Sequence, residues 1–338
     1  MPPDRDRQLR GFLAANGWED ARRIPLADDA SFRRYERIIS DGRRAVLMDA
    51  PPDKEDVRPF VHIARHLRTL GYSAPQIYAE DDDLGALLLE DLGDDTFTRM
   101  LANGGDERML YEAAVDLLTD LHRHHIAVAV PNGLAPYDAK ELLREAMLLP
   151  EWYLRAMRGR AAETAIVKQY AEAWRSLVPV TEAVAQTLVL RDFHVDNLIW
   201  LPDRNRVARC GVLDFQDALV GPAPYDLMSL LEDARRDIAP SLVADMKRRY
   251  FAALPHFAGR EFDAAYAVLA AQRHCKVIGI FTRLAQRDGK YDYLIHIPRV
   301  WRLLEAACRH PVLAPVSAWL DQHIPAPSRG IPRITGSA

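Results

Sequence analysis

Two short apolar runs break an otherwise helical stretch of this 338-residue chain, and they constrain its fold more than any other feature. Beyond residue 100, apolar residues recur at helical spacing: Tyr111, Ala114, Val115, Leu117, Leu118 and Leu121 make one stripe, and 138–158, 161–178, 224–254, 261–285 and 299–308 have the same texture. The exception is TLVLRDFHVDNLIW (187–200), followed by the polar turn LPDRNR and then VARCGVLDF (207–215). This pair predicts a hairpin embedded in a helical lobe. A hairpin brings polar residues at its strand ends together, which singles out Asp192, Asn197 and Asp214.

The first 90 residues have a different texture. Residues 6–16 predict a short amphipathic helix stopped by Asn16-Gly17. SFRRYERII (31–39) alternates, Asp41-Gly42 supplies a hairpin turn, and RAVLMDA (44–50) is its partner. Helical periodicity over 57–70 stops at Gly71, and LGALLLEDLG (84–93) predicts a buried strand ending in an acidic turn. The expected fold class is therefore α+β in two lobes: a small β-rich lobe over 1–93, a mostly helical lobe over 94–325, and a frayed tail over 326–338.

Several function classes are excluded at this level. Lys and Arg number 44 against 48 Asp and Glu, a net charge of −4, so no nucleic acid partner is expected. Cys210, Cys275 and Cys308 lie far apart, which rules out a disulfide framework and a zinc ribbon. His122, His124 and His125 do not share one helix face, and an ordinary helix end accounts for them better than a metal site. The opening MPPDRDRQLRGFL is too charged for a signal peptide, and no apolar run approaches the roughly 18 residues of a spanning helix. The expectation is a cytoplasmic protein with no membrane partner. There is no GxxxxGK[ST], GxSxG or HExxH motif to support a P-loop kinase, a serine hydrolase or a zinc protease.

Asp192 sits in a polar loop after an apolar run, Asn197 follows five residues later, and Asp214 closes the second run. Phosphoryl transfer needs such parts: one carboxylate to receive a hydroxyl proton, and an amide oxygen with a second carboxylate to hold Mg²⁺ against a triphosphate. Each residue alone has a structural explanation as a turn cap or a strand end. The set of three, at this spacing, points to a kinase.

These residues carry a family resemblance. Arg191-Asp192 with Asn197, then Leu213-Asp214-Phe215, resembles the catalytic loop and metal motif of the protein-kinase-like fold, in the variant of the aminoglycoside phosphotransferase and choline kinase group. Gly221-Pro222 followed by Tyr225-Asp226-Leu227 strengthens the likeness. DDASFRRYERI (28–38), VLMDAPP (46–52), LLLEDLGDDTF (87–97), LRDFHVDNLIW (190–200) and RHCKVIGIFTRLAQRDGKYDYL (273–294) resemble the N-acetylmuramate/N-acetylglucosamine 1-kinases of bacterial cell-wall recycling. The resemblance implies Asp192 as catalytic base, Asn197 and Asp214 as Mg²⁺ ligands, Asp226 as a structural brace, and ATP and an amino sugar as substrates. It further implies that Ser31, Phe32, Arg33 and Arg34 cover the nucleotide and that Glu90, Asp91 and Leu92 form the hinge that meets adenine.

The chain departs from that pattern in its front half. The hairpin has no G-x-G-x-x-G, and Met48 stands where a kinase strand places its phosphate-pairing lysine. Arg33 or Arg34 is the candidate replacement cation, although exposed arginines are ordinary on strands. For the acceptor, the candidates are His194, Asp196 and Asp217, together with Arg273, Lys276 and Arg283, whose helical spacing puts them on one face. A solvated basic face is the plainer explanation of those three. Other acceptors (an aminoglycoside, choline or a similar alcohol) and a non-catalytic nucleotide-binding protein are the alternatives. An acidic acceptor pocket favours a cation, and a neutral or basic one favours an N-acetyl sugar acid.

Overall fold

The computed structural model describes residues 3–26 and 32–334. They divide into two compact units, one formed by Met1–Leu117 with Val195–Ala218 and the other by Leu118–His194 with Leu219–Ala338.

In the first unit, α1 (Pro3–Ala15) presents Leu9, Phe12 and Leu13, the latter two three and four residues beyond Leu9 and so on the same side of the helix. They pack with Trp18, Ile38, Ala45, Leu47, Ala86 and Leu88 into a single core. The last five of these belong to an antiparallel sheet of β1 (Arg22–Pro25), β2 (Arg34–Ser40), β3 (Arg43–Asp49), β4 (Ile77–Asp81) and β5 (Ala86–Leu89), in the order β1-β2-β3-β5-β4. Asp41 and Gly42 both adopt positive φ (50° and 74°), the geometry a two-residue hairpin turn requires and the reason Asn or Asp before Gly marks one. β4 escapes detection in the sequence because it is short and its alternate residues are exposed. Helix α2 (Arg58–Thr69) buries Phe60, Val61, Ile63, Ala64 and Leu67, as its periodicity predicts. After it come α3 (Phe97–Ala102), capped by the Thr96 hydroxyl, and α4 (Glu107–Arg123).

The run 187–200 is not one strand. β6 (Gln186–Val189) pairs with β9 (Leu219–Pro222), while β7 (Leu198–Trp200) pairs with β8 (Cys210–Val212). Only the second half forms the expected hairpin. The cause lies at Arg191, whose φ of 70° no strand can continue. Asp226 holds that conformation by accepting from the N–H groups of Leu190 (2.7 Å) and Arg191 (2.9 Å).

The second unit contains α5 (Ala139–Ala146), α6 (Thr164–Arg175), α7 (Pro224–Leu231), α8 (Pro240–Ala253), α9 (Arg260–Asp288), α10 (Ile297–Ala307) and α11 (Ala314–His323). The stretch 138–158 is interrupted by a π-helical turn, Leu149–Leu154, where Pro150 has no N–H to give the ladder. The stretch 224–254 is likewise two helices. Asp233 Oδ1 accepts from the Arg235 N–H (2.7 Å), a local bond that competes with helix, and Pro240 then opens α8. Helix α9 is the centre of this unit and is buried on every side over most of its 29 residues. Gly279 makes that possible: a Cβ there would lie 2.4 Å from the Leu148 carbonyl. Near the C-terminus, the Tyr153 hydroxyl donates to the Gly330 carbonyl (2.8 Å), and Arg329 pairs with Glu305 (2.9 Å) and Asp321 (2.6 Å). Among the described residues no helix is long and apolar enough to cross a membrane.

Candidate active site

Within the first unit, the β7–β8 hairpin is anchored from both sides. Trp200 N–H donates to the Asp95 carbonyl (2.8 Å), and Val212 N–H to the Ser73 carbonyl (3.0 Å). Its two ends are tied by Leu213 N–H donating to the Asn197 carbonyl (2.9 Å). This sets Asn197 beside Asp214, with Asn197 Nδ2 3.4 Å from Asp214 Oδ2. Phe215 is buried against Phe60 of α2, the ring centroids 4.9 Å apart, which fixes the residue after Asp214. Asp214 itself has φ 55°, a conformation tolerated by Asp and Asn but costly for most side chains.

Both residues open onto a cavity of about 410 Å³, within the usual range for a small-molecule site. Its apolar wall includes Leu26, Val46, Phe60, Leu89 and Ile199. Glu90, Asp91 and Leu92 line it too, and both carboxylates are engaged in ion pairs. Glu90 pairs with Arg204 (2.6 Å) and Arg68 (3.4 Å), and Asp91 pairs with Arg37 (2.7 Å) and accepts from Gly93 N–H (3.0 Å). These pairs engage the two carboxylates and leave the backbone of 90–92 and Leu92 among the cavity lining. Arg37 was not legible as a site residue, since an arginine on an exposed strand looks ordinary until Asp91 and Asp94 are placed against it.

Ser31 lies outside the described residues. Phe32 is 65% exposed, and its N–H donates to Glu55 Oε1 (3.3 Å). Arg34 is exposed on β2. Arg33 differs from both: its side chain is only 11% exposed, with Nη2 3.9 Å from Asp214 Oδ1 and Nε 3.8 Å from Glu55 Oε2. Met48 is fully buried in β3 two residues from the cavity-lining Val46 and brings no charge there.

The donor set at the hairpin suits a divalent cation. A carboxylate and an amide are the hard oxygen ligands that Mg²⁺ takes, and a half-turn of the Asn197 amide exchanges Nδ2 for Oδ1 on the side facing Asp214. Asp214 Oδ1 accepts from Gln216 Nε2 (2.8 Å), which orients the carboxylate.

In the second unit, Asp192 follows the strained Arg191. The Arg191 carbonyl accepts from Arg273 Nη1 (3.2 Å) and Ser229 Oγ (3.3 Å), and Arg273 Nη1 also reaches Asp192 Oδ1 (3.4 Å). Asp226, Ser229 and Arg273 thus over-determine one backbone conformation. Burial pushes the Asp226 carboxyl up to about 7, against the pull of its two N–H donors. Burial acts the same way on Asp192, but Lys276, Arg273, His194 and Arg191 outweigh it and hold its carboxyl well below the usual range. His194 is held below its ordinary value by burial, against the pull of Asp233 and Asp192, and is therefore a neutral imidazole at pH 7.

Glu145 underpins this loop. It is fully buried, accepts from Tyr137 Oη (3.0 Å) and Gln272 Nε2 (3.0 Å), and pairs with Lys276 Nζ (2.5 Å) and with the Arg191 guanidinium. Burial raises its pKa, yet Lys276 and Arg191 prevail and lower it from 4.5 to about 2. The stabilisation from this shift is whole above pH 4.5 and is lost as pH falls toward 2. Glu145→Gln strands two buried cations and is expected to cost roughly 3–5 kcal/mol at pH 7. Urea denaturation at pH 7 and pH 3 measures both effects, because the variant should lose less than wild type over that interval; equal losses refute the assignment.

Asp192, His194, Arg273 and Lys276 line one cavity of about 100 Å³, joined by Asp233 and Arg235. The last two were missed because 224–254 has helical periodicity throughout. Arg283 does not line this cavity: burial lowers its pKa, and among its neighbouring charges is Glu151. Asp217 is exposed, and Asp196 accepts from the Thr98 hydroxyl while lining the 410 Å³ cavity. His122 packs against Tyr250, its Nδ1 2.7 Å from the hydroxyl, and His125 caps the short helix Ile126–Ala129.

A family model described as a phosphotransferase enzyme family matches residues 22–266. The N-acetylmuramate/N-acetylglucosamine kinase of Caulobacter vibrioides is 36% identical, over 97% of this chain and 99% of its own length. The Pseudomonas aeruginosa kinase of the same name is 39% identical over 91% of each. Among solved structures, a choline/ethanolamine kinase family protein from Mesorhizobium loti superposes with a TM-score of 0.60 at 14% identity, covering 94% of this chain and 99% of that one. The ADP-bound aminoglycoside phosphotransferase APH(2'')-Ib gives 0.54 at 16% identity, covering 91% and 99%; these two likenesses show the protein-kinase-like fold. The chain belongs to the phosphotransferase enzyme family and is a kinase-fold enzyme of the group that contains the N-acetylmuramate/N-acetylglucosamine kinases.

Proposed function

We propose that this chain transfers the γ-phosphoryl group of ATP to the anomeric hydroxyl of N-acetylmuramate and N-acetylglucosamine, yielding the sugar 1-phosphates of cell-wall recycling. The observation that carries the reading is the charge of the Asp192 cavity, where Arg235, Arg273 and Lys276 outnumber Asp192 and Asp233 and His194 is neutral. Such a cavity disfavours choline or an aminoglycoside and suits a sugar acid. The names borne by the relatives agree.

Asn197 and Asp214 hold Mg²⁺, which when bound neutralises triphosphate charge. The 410 Å³ cavity takes the adenosine, with the 90–92 backbone as its polar edge. Asp192 accepts a hydrogen bond from the acceptor hydroxyl, aims its oxygen at the γ-phosphorus, and takes the proton as the P–O bond forms and ADP leaves. An anomeric hydroxyl is more acidic than an ordinary alcohol, so a carboxylate held low suffices and positioning outweighs basicity. The requirement for ATP places the reaction in the cytoplasm. Asp226 acts as the brace of the catalytic loop.

Arg33 supplies the cation that Met48 does not. Paired with Glu55 and held beside Asp214, it approaches the phosphates from the β2 side of the sheet. Arg33→Gln is expected to lower kcat/KM for ATP by about 10²-fold, with Arg34→Gln near wild type; equal behaviour of the two variants rejects the substitution of roles. ADP release measured with N-acetylmuramate, N-acetylglucosamine, kanamycin and choline tests the function. Turnover confined to kanamycin or choline overturns it.

A further inference from the structure

The turn between α7 and α8 carries two groups that no step above uses. Asp233 is buried, at 4% exposure, and lines the cavity that Asp192 lines. Its Oδ1 is satisfied by the Arg235 N–H, but its Oδ2 has no hydrogen-bond partner among the described residues. A buried carboxylate oxygen without a donor is costly and rare, and a ligand that brings a donor removes the cost. A hydroxyl or amide N–H is such a donor; another carboxylate is not.

Two residues along the turn, Arg235 is exposed at the same cavity. Its guanidinium carbon lies 5.9 Å from the ring centroids of both Phe281 and Tyr293, which orient it. N-acetylmuramate is N-acetylglucosamine carrying a lactyl ether, so a single carboxylate separates the two sugars, and a guanidinium fork is suited to it.

Building on the sugar-kinase reading, we propose that this turn is the acceptor-reading edge of the Asp192 cavity: Asp233 Oδ2 accepts from a hydroxyl or amide common to both sugars, and Arg235 pairs with the carboxylate of N-acetylmuramate. Neither residue takes part in the phosphoryl transfer itself.

Initial-rate kinetics on the full chain with both sugars test this. Asp233→Asn keeps an acceptor for the Arg235 N–H but turns an NH₂ toward the sugar, so KM should rise about 10-fold or more for both sugars, with KM for ATP unchanged. Arg235→Gln should raise KM about 10-fold for N-acetylmuramate and leave N-acetylglucosamine within about two-fold. An unchanged acceptor KM in folded Asp233→Asn overturns the proposal, as does an Arg235→Gln that shifts both sugars equally. Arg235 is exposed and its variant decides alone if Asp233→Asn fails to fold. A wild-type enzyme inactive on both sugars instead overturns the sugar-kinase reading, and this proposal with it.

Discussion

Asp192→Asn lowers kcat about 10³-fold and leaves KM for ATP within about two-fold. The substitution preserves shape and one acceptor oxygen, so Arg273 keeps a partner and the Arg191 backbone keeps its bonds to Asp226. It removes the negative charge that the cationic neighbours Lys276, Arg273 and Arg191 hold in place. An amide oxygen is far too weak a base to take the hydroxyl proton, and its NH₂ opposes the donor that should point at it. The nucleotide cavity does not include Asp192, which is why the ATP constant is spared. Thermal melting of the variant confirms the fold, and retention of more than about a tenth of kcat rules out the assigned role.

Asp214→Asn raises the Mg²⁺ concentration needed for half-maximal rate by about 10-fold and cuts kcat/KM for ATP about 10³-fold. Asparagine is the informative replacement because Asp214 sits at φ 55°, where alanine adds backbone strain of roughly 1 kcal/mol or more that would confuse loss of metal with loss of fold. The new side chain still accepts from Gln216 Nε2, so the turn is kept while the charge is lost. Arg33, 3.9 Å from Asp214 Oδ1, loses one of its neighbouring negative charges and keeps Glu55, which shifts the charge balance at the triphosphate. An unchanged magnesium midpoint removes Asp214 from the metal site.

The proposed chemistry is read from a few nearly consecutive residues. Asp192, Asn197 and Asp214 lie within 23 positions of one another and stand at the ends of runs whose character is plain from composition alone. Asp41-Gly42 specified its hairpin for the same reason: both residues must adopt positive φ, and those two types do so cheaply. The strand Ala86–Leu89 followed from a continuous apolar run ending in acids. The partner of β6 was not legible, because β9 lies 30 residues further on and nothing local distinguishes it from the nearer candidate β8. Helical spacing placed Arg273, Lys276 and Arg283 on one face, yet α9 is enclosed on every side, so a shared face no longer means a shared environment. Arg283 does not line the cavity that the other two line.

Asp233 and Arg235 show the limit most clearly. Their periodicity is helical, and a side chain bonding to the backbone two residues on was enough to open the turn that brings them to Asp192. Glu145 is a second case: it is an unremarkable helix residue until Lys276, Arg191 and Gln272, more than a hundred positions distant for Gln272, close on it. What the amino-acid order determined by itself was the proposed reacting set and the local turns that hold it, since these depend on contacts a few residues long. Which charges surround that set, and so how strongly Asp192 stays ionised and which acceptor it meets, was decided by tertiary packing, because burial and the field of remote charges exist only once distant segments are brought together.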